Sequence, residues 1–253
     1  MPAIDLNADL AEHDRWTAED DALLAHVTSA SLACGFHAGG PDVMRAGVEA
    51  CLAAGVTVGA HVSYRDRAGF GRRALDVDPA RLAADVVEQW EALVEVAAAT
   101  GSRVAYVKPH GALYHRMAVD PDVAGAVAGA LVGRCRVLVA PPGSAVDGPA
   151  RAAGLRVVPE GFCDRGYDTD GRLVGRDRAG ALVDGQEAVG ARARALAVDG
   201  TVDTVDGGRI TLRVETLCVH GDLPGAADRA RAARRALADA GVSVRSFAVD
   251  LRG

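Results

Sequence analysis

The chain has 253 residues, of which 49% are hydrophobic and 4% are aromatic, so one large domain with an aliphatic core is expected. Its 34 acidic and 28 basic residues give a net charge of −6 and leave no basic face for a phosphate backbone, which excludes nucleic acid as an expected partner. No basic segment precedes an apolar stretch at the amino terminus, and no apolar run reaches about 18 residues, so neither a signal peptide nor a membrane span is expected.

Short apolar runs rich in Val and Ile alternate with Ala-rich helical stretches. The predicted strands are Ala3–Leu6, Ala30–Cys34, Thr57–Ala60, Val104–Val107, Val137–Ala140, Leu155–Val158, Leu217–Val219 and Val244–Val249. The predicted helices include Asp42–Ala54, Pro79–Ala99, Gln186–Val198 and Ala226–Ala240. Strands that alternate with helices indicate a parallel sheet, and eight such units in about 250 residues favour a closed α/β barrel over an open sheet.

One segment breaks this alternation. The pattern of Thr201–Val214 predicts two short strands around Asp206-Gly207-Gly208, which we interpret as a β-hairpin inserted before a late barrel strand. No linker, low-complexity tract or repeat of fixed period is visible. We therefore expect residues 1–253 to form a single α/β-barrel domain.

Polar residues follow the predicted strands. They are Asp5, Asn7 and Asp9 after the first strand, His37 after the second, His61 after the third, Lys108, His110 and Tyr114 after the fourth, Asp164 and Arg165 after the sixth, and His220 and Asp222 after Leu217–Val219. The carboxyl ends of parallel barrel strands converge on one mouth, where active sites of such barrels lie. We therefore predict a shared site whose cavity is surrounded by Asp9, His37, His61, His110 and His220.

Two kinds of chemistry suit these side chains. Imidazoles and carboxylates at one mouth could bind a metal or act as general acids and bases. Asp9 with His37 and His61 would suit a divalent ion, although no H-E-x-x-H spacing requires one. The paired Arg72 and Arg73 could bind a carboxylate or phosphate bidentately, or could belong to a solvated loop.

Lys108 is the only lysine among the 28 basic residues. A compact ammonium group differs from a planar guanidinium, so its retention in an Arg-rich chain points to a specific role. Beside His110, it could stabilise a developing oxyanion or hold an anionic group. As a polar residue at a strand end, Lys108 is expected to lie outside the core.

Missing motifs also narrow the function. The chain has no G-x-x-x-x-G-K-[ST] loop, no G-x-G-x-x-G after a strand and no G-x-S-x-G elbow. If the reaction uses ATP, another polypeptide is therefore expected to bind it. The five cysteines lack C-x-x-C spacing and stand among apolar residues, as reduced thiols do, so we expect a cytoplasmic protein.

Seven short sequence segments contain the polar residues discussed above, and their sequences and order resemble those of the LamB/YcsF family, the 5-oxoprolinase A subunits. They are DLNADL, ACGFHAG, GAH-x-SY-x-D, GFGRR, VKPHGALY, DRGYDTDG and CVHGD, and they run from Asp5 to about Asp222. The resemblance implies an irregular (β/α) TIM-like barrel, similar to the glycoside hydrolase/deacetylase superfamily. It also implies ATP-dependent conversion of 5-oxoproline to L-glutamate, carried out with partner subunits B and C.

The implied chemistry assigns roles to the predicted site. ATP phosphorylates the amide oxygen of the lactam, and hydrolysis follows. His61 or His110 acts as base and Lys108 stabilises the developing charge, with Asp9 as the fourth catalytic candidate. The substrate-binding candidates are Asp5, Asn7, His37, Arg72, Arg73, Tyr114, Asp164, Arg165, His220 and Asp222.

Several positions depart from the usual family pattern, and two other functions stay open. Ala11 stands where Gly is usual, Ser31 where Asn is common, and His115 replaces an Asn. Because Ser31 and His115 are expected near the site, a substrate other than 5-oxoproline is an alternative. The chain could also be a metal-dependent carbohydrate deacetylase or amidohydrolase that needs neither ATP nor partners, or a non-catalytic subunit that only presents a lactam.

Overall fold

The structure is a computed structural model and describes residues 2–222 and 224–248. Its strands are β1 Ala3–Leu10, β2 Ser29–Ala33, β3 Thr57–Val62, β4 Val104–Pro109, β5 Val137–Ala140, β6 Arg156–Phe162, β7 Thr201–Asp203, β8 Arg209–Thr211, β9 Thr216–His220 and β10 Ser243–Val244. Its α-helices are α1 Ala18–Leu24, α2 Pro41–Ala54, α3 Pro79–Ala99, α4 Gly111–Met117, α5 Pro121–Leu131, α6 Asp147–Ala152, α7 Gln186–Arg194 and α8 Ala226–Asp239. A 3₁₀ turn, Arg67–Gly69, follows β3, and a π-helical turn, Ala195–Asp199, continues α7.

Seven parallel strands close into a barrel. The order is β1-β2-β3-β4-β5-β6-β9, and β9 pairs with β1 from Asp5–Thr216 to Asp9–His220. The predicted TIM-like α/β barrel is confirmed, but its ring has seven strands where the sequence predicted eight units. The strand prediction Val244–Val249 is wrong over most of its described residues, because β10 ends at Val244 and residues 245–248 form no strand, while Val249 lies outside the described residues. The short β10 pairs with the first residues of β1.

Local sequence signals set the ends of the helices. The carboxylate of Asp78 accepts hydrogen bonds from the backbone N–H groups of Ala80 and Arg81, and Pro79 occupies the first turn of α3. The helix α2 ends at Gly55, whose φ of 69° lies in the left-handed region that glycine adopts readily. These caps fix where each helix returns the chain to the barrel.

The two faces of the barrel strands have different surroundings, because successive strand residues point to opposite sides. The outer faces pack against the helices and form the main aliphatic core. Inside the barrel, the amino-terminal half holds a smaller apolar cluster around Tyr106 and Phe247, whose rings lie 5.2 Å apart. A Cβ atom at Gly59 would lie 2.2 Å from the Tyr106 ring, so only glycine leaves room for it.

The chain between β6 and β9 contains a long loop, the helix α7 and a β-hairpin. The strands β7 and β8 form a separate antiparallel pair, and Val205 next to them donates a backbone hydrogen bond to Tyr167 in the loop after β6. This contact ties the hairpin to the loop that carries Arg165. Within the described part of the chain, no helix has both the length and the apolar character that a membrane span needs.

Candidate active site

The strand β1 presents Asp5, Asn7 and Asp9 to the barrel interior as a column. Asp5, at the amino end, accepts hydrogen bonds from the hydroxyl groups of Thr28 at 2.7 Å and Ser29 at 2.8 Å, and from a third hydroxyl on β9. Burial raises the pKa of Asp5 from 3.8 to about 6, although these hydroxyl groups act to lower it. Hydroxyl donors alone therefore do not offset the cost of burying this charge.

Lys108 lies at the centre of the carboxyl-terminal half of the barrel. Its ammonium nitrogen is 2.8 Å from both the Asp9 and the Glu160 carboxylates, and 3.2 Å from Asn7 Oδ1 and from Cys218 Sγ. Only 2% of the residue is exposed. The prediction that Lys108 lies outside the core is wrong, because β4 directs this side chain into the barrel, where two carboxylates balance its charge.

Asp9 and Lys108 hold each other in the charged form. Burial favours the neutral form of Asp9, but the positive charges of His61 and Lys108 keep its pKa well below the usual value. Burial also opposes the charge on Lys108, yet the negative charge of Asp9 keeps the lysine pKa well above its usual value. Asp9 and Lys108 therefore form a charged pair inside the barrel.

Glu12, His37, His61 and His110 form a buried cluster beside Asp9. Glu12 Oε1 lies 3.2 Å from His37 Nε2, 3.3 Å from His110 Nδ1 and 3.7 Å from His61 Nε2. The rings of His37 and His110 stack with their centroids 3.9 Å apart. One ligand atom from each of the four residues lies within 4.8 Å of the others, so the cluster could hold a metal ion.

The three imidazoles of this cluster differ in proton affinity. Burial lowers the pKa of His37 and of His110 well below the usual value. Burial also acts to lower the pKa of His61, but the carboxylates of Asp9 and Glu12 outweigh it and raise that pKa. His61, 3.4 Å from Asp9 Oδ2, is thus the imidazole of the three that most readily carries a proton.

An Ala in the left-handed region brings Glu12 to the cluster. Ala11 has a φ of 60° and is fully buried directly after β1. This is the position where the family pattern usually has Gly, which adopts such a φ without the steric cost that a Cβ adds. Glu12, the next residue, is buried, and its carboxylate contacts the histidine cluster.

A second imidazole–carboxylate pair lies across the mouth. His220 Nδ1 is 3.0 Å from Asp164 Oδ1, and the His220 backbone N–H donates to Asp164 Oδ2 at 2.8 Å. Burial acts to raise the pKa of Asp164, but the His220 charge and these hydrogen bonds lower it overall. Because the carboxylate engages Nδ1, the Nε2 atom of His220 remains for the cavity.

These groups border a cavity of about 250 Å³ at the carboxyl ends of the strands. Three arginines give it a cationic wall: Arg72, Arg165 and Arg176. Arg72 and Arg176 both donate to Asp222, the latter at 3.3 Å, and Arg165 donates to two backbone carbonyl groups. Each guanidinium has five N–H donors, so these contacts leave donors for a ligand.

The structure brings most of the predicted site residues to this cavity. Those that line it are Asp9, His61, Arg72, Lys108, His110, Tyr114, Arg165 and His220. Three more lie one contact behind the lining: His37 stacks on His110, Asp164 holds His220, and Asp222 holds Arg72.

Three predicted residues lie elsewhere. Asp5 and Asn7 sit deeper in the barrel, where Asn7 donates to Glu160 at 2.9 Å, and neither borders the cavity. Arg73 is largely exposed and pairs with Asp66. The ion pair with Asp66 holds Arg73 away from the cavity that its neighbour Arg72 lines.

Three residues of the site were not predicted from the sequence. Glu12 follows β1 within a charged stretch that is typical of a solvated loop, and only the unusual Ala11 marks the turn before it. Glu160 belongs to the sixth strand and could have been found by its place in an apolar run. Arg176 comes from the loop after β6 and carries no pattern of its own.

Two other departures from the family pattern lie in different places. Ser31 is buried inside the barrel, where its hydroxyl is 3.1 Å from that of Tyr106, away from the cavity. His115 lines the cavity, and burial together with the charge of Arg165 lowers its pKa to about 4. Of these two, only His115 therefore changes what a bound ligand would meet.

A family model described as LamB/YcsF family matches residues 4–251. The chain belongs to the LamB/YcsF family. Curated relatives include the 5-oxoprolinase A subunits of Streptomyces griseus and of Streptomyces coelicolor, each 51% identical over 249 residues, which cover 97% of this chain and 100% of the relative. The resemblance drawn from the seven segments is confirmed.

Solved structures agree with the family and the fold. The lactam utilization protein from Thermus thermophilus has a TM-score of 0.90 and 40% identity to this LamB/YcsF member, covering 97% of this chain and 100% of that one. The peptidoglycan deacetylase PdaC from Bacillus subtilis has a TM-score of 0.51 at 14% identity, covering 98% of this chain and 89% of that one. The second likeness shows a shared fold and nothing more about chemistry.

Proposed function

We propose that this chain is the lactam-binding A subunit of a 5-oxoprolinase, in which an ATP-dependent complex opens 5-oxoproline to L-glutamate. The observation that carries the proposal is the end-to-end identity of 51% with relatives named as the A subunit of 5-oxoprolinase. The name lactam utilization protein, borne by the Thermus thermophilus relative, supports the same substrate class. The cavity chemistry is consistent with it.

A small anionic lactam suits the cavity. Arg72, Arg165 and Arg176 offer N–H donors to a carboxylate, for which guanidinium groups have matching geometry. A volume of about 250 Å³ has room for a single small ring. His115 at the wall is uncharged at neutral pH, because its pKa is lowered to about 4.

Opening the lactam needs an activated carbonyl and a positioned water. In the proposed reaction, the amide oxygen takes the γ-phosphoryl group of ATP, and water then adds to the ring carbon. Cleavage of the C–N bond in this adduct releases the amine and leaves an acyl phosphate, which a second water hydrolyses to glutamate and phosphate. His220, oriented by Asp164, is placed to accept the proton of that water.

The residues on the other side of the cavity have distinct proposed roles. Asp9 stays ionised and can orient the water or the ring N–H. His61 lies 3.4 Å from Asp9 Oδ2 and orients that carboxylate, while the proton that His220 takes from water can pass to the leaving nitrogen. Lys108 is enclosed by two carboxylates, so we assign it the positioning of Asp9 and not direct contact with the substrate. The ring of His110 packs edge-on against that of His61, with centroids 4.8 Å apart.

ATP is proposed to bind on partner subunits B and C, because the chain has no phosphate-binding loop. The isolated protein should then neither hydrolyse ATP nor bind it tightly. Micromolar nucleotide binding in a calorimetric titration would contradict this division of labour. The cytoplasm is the proposed compartment, since all five cysteines are free and buried.

A glutamate-release assay tests the proposal. Glutamate and ADP should form together only when this chain, subunits B and C and ATP are all present. Omission of any component should abolish both products. A complete mixture that releases no glutamate from 5-oxoproline would overturn the proposed substrate.

Variants at His220 separate a catalytic role from mere presentation of the lactam. His220→Asn should lower turnover of the complex by roughly 10²–10⁴-fold, as loss of a general base does. His26→Asn, at the amino end of the barrel, is the matched control and should leave turnover unchanged. Full activity in His220→Asn would favour the non-catalytic alternative.

A second candidate is hydrolysis of an amide without ATP or partners. The observation that favours it is the Glu12–His37–His61–His110 cluster beside the cavity, which could hold a metal. Stand-alone release of acetate from an N-acetylated sugar by the isolated chain would support this alternative. Strict dependence on ATP and the other subunits would exclude it.

A further inference from the structure

The protonation pattern of the histidine cluster is fixed by groups outside it. His61 Nδ1 lies 3.1 Å from the backbone oxygen of Lys108, and His110 Nε2 lies 2.9 Å from that of Phe70. A carbonyl oxygen only accepts hydrogen bonds, so both of these nitrogens carry their protons there. In the neutral rings, His61 Nε2 and His110 Nδ1 then have lone pairs, and these two atoms face each other at 3.0 Å.

The protonated nitrogen of the third imidazole, His37, is likewise set by an outside group, the Ser63 hydroxyl. Ser63 donates its hydroxyl proton to the backbone oxygen of Tyr64 at 3.0 Å, so its oxygen accepts from His37 Nδ1 at 2.9 Å. The Nε2 atom of His37 is left with a lone pair. That atom points at Glu12 Oε1, 3.2 Å away.

Four acceptor atoms therefore converge in a buried volume. They are three imidazole nitrogens and Glu12 Oε1, separated by 3.0 to 3.7 Å in the pairs that touch. A proton can bridge only one such pair and leaves the other lone pairs opposed. A metal cation can accept all four at once, which is the arrangement in which each ligand histidine donates its other N–H to an outer acceptor.

We propose that Glu12, His37, His61 and His110 form a binding site for a single divalent first-row transition metal. Around an ion with ligand bonds of about 2.1 Å, tetrahedral ligand atoms lie about 3.4 Å apart, close to the spacing of these atoms. Three imidazoles and one carboxylate select Zn²⁺, Mn²⁺, Fe²⁺, Co²⁺ or Ni²⁺ over Mg²⁺ and Ca²⁺, which prefer oxygen ligands. The site rests on this geometry and does not depend on the lactam reaction.

The set differs from the ligands expected from the sequence. Asp9 was expected to join His37 and His61, but its carboxylate is engaged by Lys108 at 2.8 Å. Asp9 Oδ2 lies 3.4 Å from His61 Nε2, beside the cluster. Glu12 and His110 take its place, and Ser63 becomes a positioning residue that orients His37.

Metal content and metal binding test the site directly. The full-length protein should contain about one transition-metal ion per chain when purified without chelators and analysed by elemental mass spectrometry. After removal of the metal, titration with Co²⁺ should give visible d–d absorption that saturates at one equivalent. Bound metal should also raise the melting temperature, because the ion binds the folded state.

Variants assign the binding to these residues. Glu12→Gln and His37→Asn should each abolish stoichiometric Co²⁺ binding, and Ser63→Ala should weaken it by roughly 10–100-fold, as loss of an outer hydrogen bond does. His115→Asn, in the same cavity but outside the cluster, is the matched control and should bind as the wild type does. Melting curves of the metal-free proteins identify variants that do not fold, and Ser63→Ala keeps the test valid if the ligand variants fail.

Two results would overturn the proposal. One is a wild-type protein that contains no transition metal and binds none at micromolar Co²⁺, Zn²⁺ or Mn²⁺, in which case a shared proton occupies the cluster. The other is binding that survives unchanged in Glu12→Gln, His37→Asn and Ser63→Ala, which would place the ion elsewhere. Neither result depends on the presence of ATP or of partner subunits.

Discussion

Asp5 and Asp9 stand at the two ends of one strand, and their pKa values are shifted in opposite directions. Both are carboxylates inside the barrel and both are buried. Burial raises the pKa of Asp5 to about 6, whereas His61 and Lys108 overcome burial and keep the pKa of Asp9 well below the usual value. The two differ in their partners, since hydroxyl groups surround Asp5 and cations surround Asp9.

The same contrast extends to the two halves of the barrel interior. The amino-terminal half is filled by Tyr106, Phe247 and neighbouring valines, which pack through apolar contacts. The carboxyl-terminal half contains the Asp9–Lys108–Glu160 group and the histidine cluster beside the cavity. Stability should therefore depend on packing at one end and on charge balance at the other.

Loss of Lys108 should have the largest effect. Lys108→Met leaves Asp9 and Glu160 buried without a cation, which should destabilise the fold by about 3–5 kcal/mol. Turnover of the assembled complex should fall by roughly 10²–10³-fold, because Asp9 loses its position. Urea unfolding and turnover, measured side by side, provide the check.

The amino end supplies the matched control for that experiment. Ser29→Ala removes one of the hydroxyl groups that Asp5 accepts and should cost only about 1 kcal/mol, with turnover unchanged. Lys108→Arg keeps the charge but widens the group, so its turnover should also fall. Near-normal turnover in Lys108→Arg would show that this position needs only a positive charge.

The pH dependence of stability should separate Asp5 from Asp9. Because folding raises the pKa of Asp5, its contribution to stability is fully present below pH 3.8 and is lost as the pH rises through about 6. The loss should amount to about 3 kcal/mol, since one pKa unit corresponds to about 1.4 kcal/mol. Asp5→Asn cannot ionise, so the difference between wild type and variant should change across this range. A constant difference would mean that Asp5 titrates normally.

Two glycines with positive φ give the most local test. A Cβ atom at Gly71 would lie 2.8 Å from His110 Cδ2 and 2.9 Å from His37 Cβ, whereas one at Gly101 would meet nothing within 4 Å. Alanine at either position should cost about 1–2 kcal/mol for the left-handed backbone. Gly71→Ala should add about 1–3 kcal/mol from overpacking.

Function should distinguish these two glycine variants more clearly than stability does. Gly71→Ala should disturb the stacked imidazoles and lower turnover of the complex, while Gly101→Ala, before β4 at the amino end, should keep it. Equal turnover in the two variants would mean that the histidine stack tolerates displacement.

Much of the fold was predictable because it depends on local patterns. The bounds of α3 and β5 match the prediction, since Pro79 marks the start of the helix and a short apolar run defines the strand. Other strands extend further than predicted, as β1 does to Leu10, because polar residues inside a barrel interrupt the apolar pattern. The number of strands in the ring was not predictable, since it depends on β9 pairing directly with β1.

Some residues of the site were likewise predictable from the sequence and others were not. The convergence of Asp9, His61, His110 and His220 on one cavity followed from their places at strand ends. The inclusion of Glu12 did not, because it depends on a turn at Ala11 that no periodic pattern marks. Arg176 likewise reaches the cavity only through the folding of a long loop.

By itself, the sequence determined the family, the alternating strands and helices, and the end of the barrel where polar side chains collect. These features follow from composition, periodicity and short motifs, which act over a few residues. The tertiary structure decided which partners each polar group has. It thereby decided that Lys108 is buried, that the pKa values of Asp5 and Asp9 shift in opposite directions, and that Glu12 completes the histidine cluster. The physical reason is that charge and protonation depend on distances of a few ångströms between residues far apart in the chain, and only closure of the barrel sets those distances.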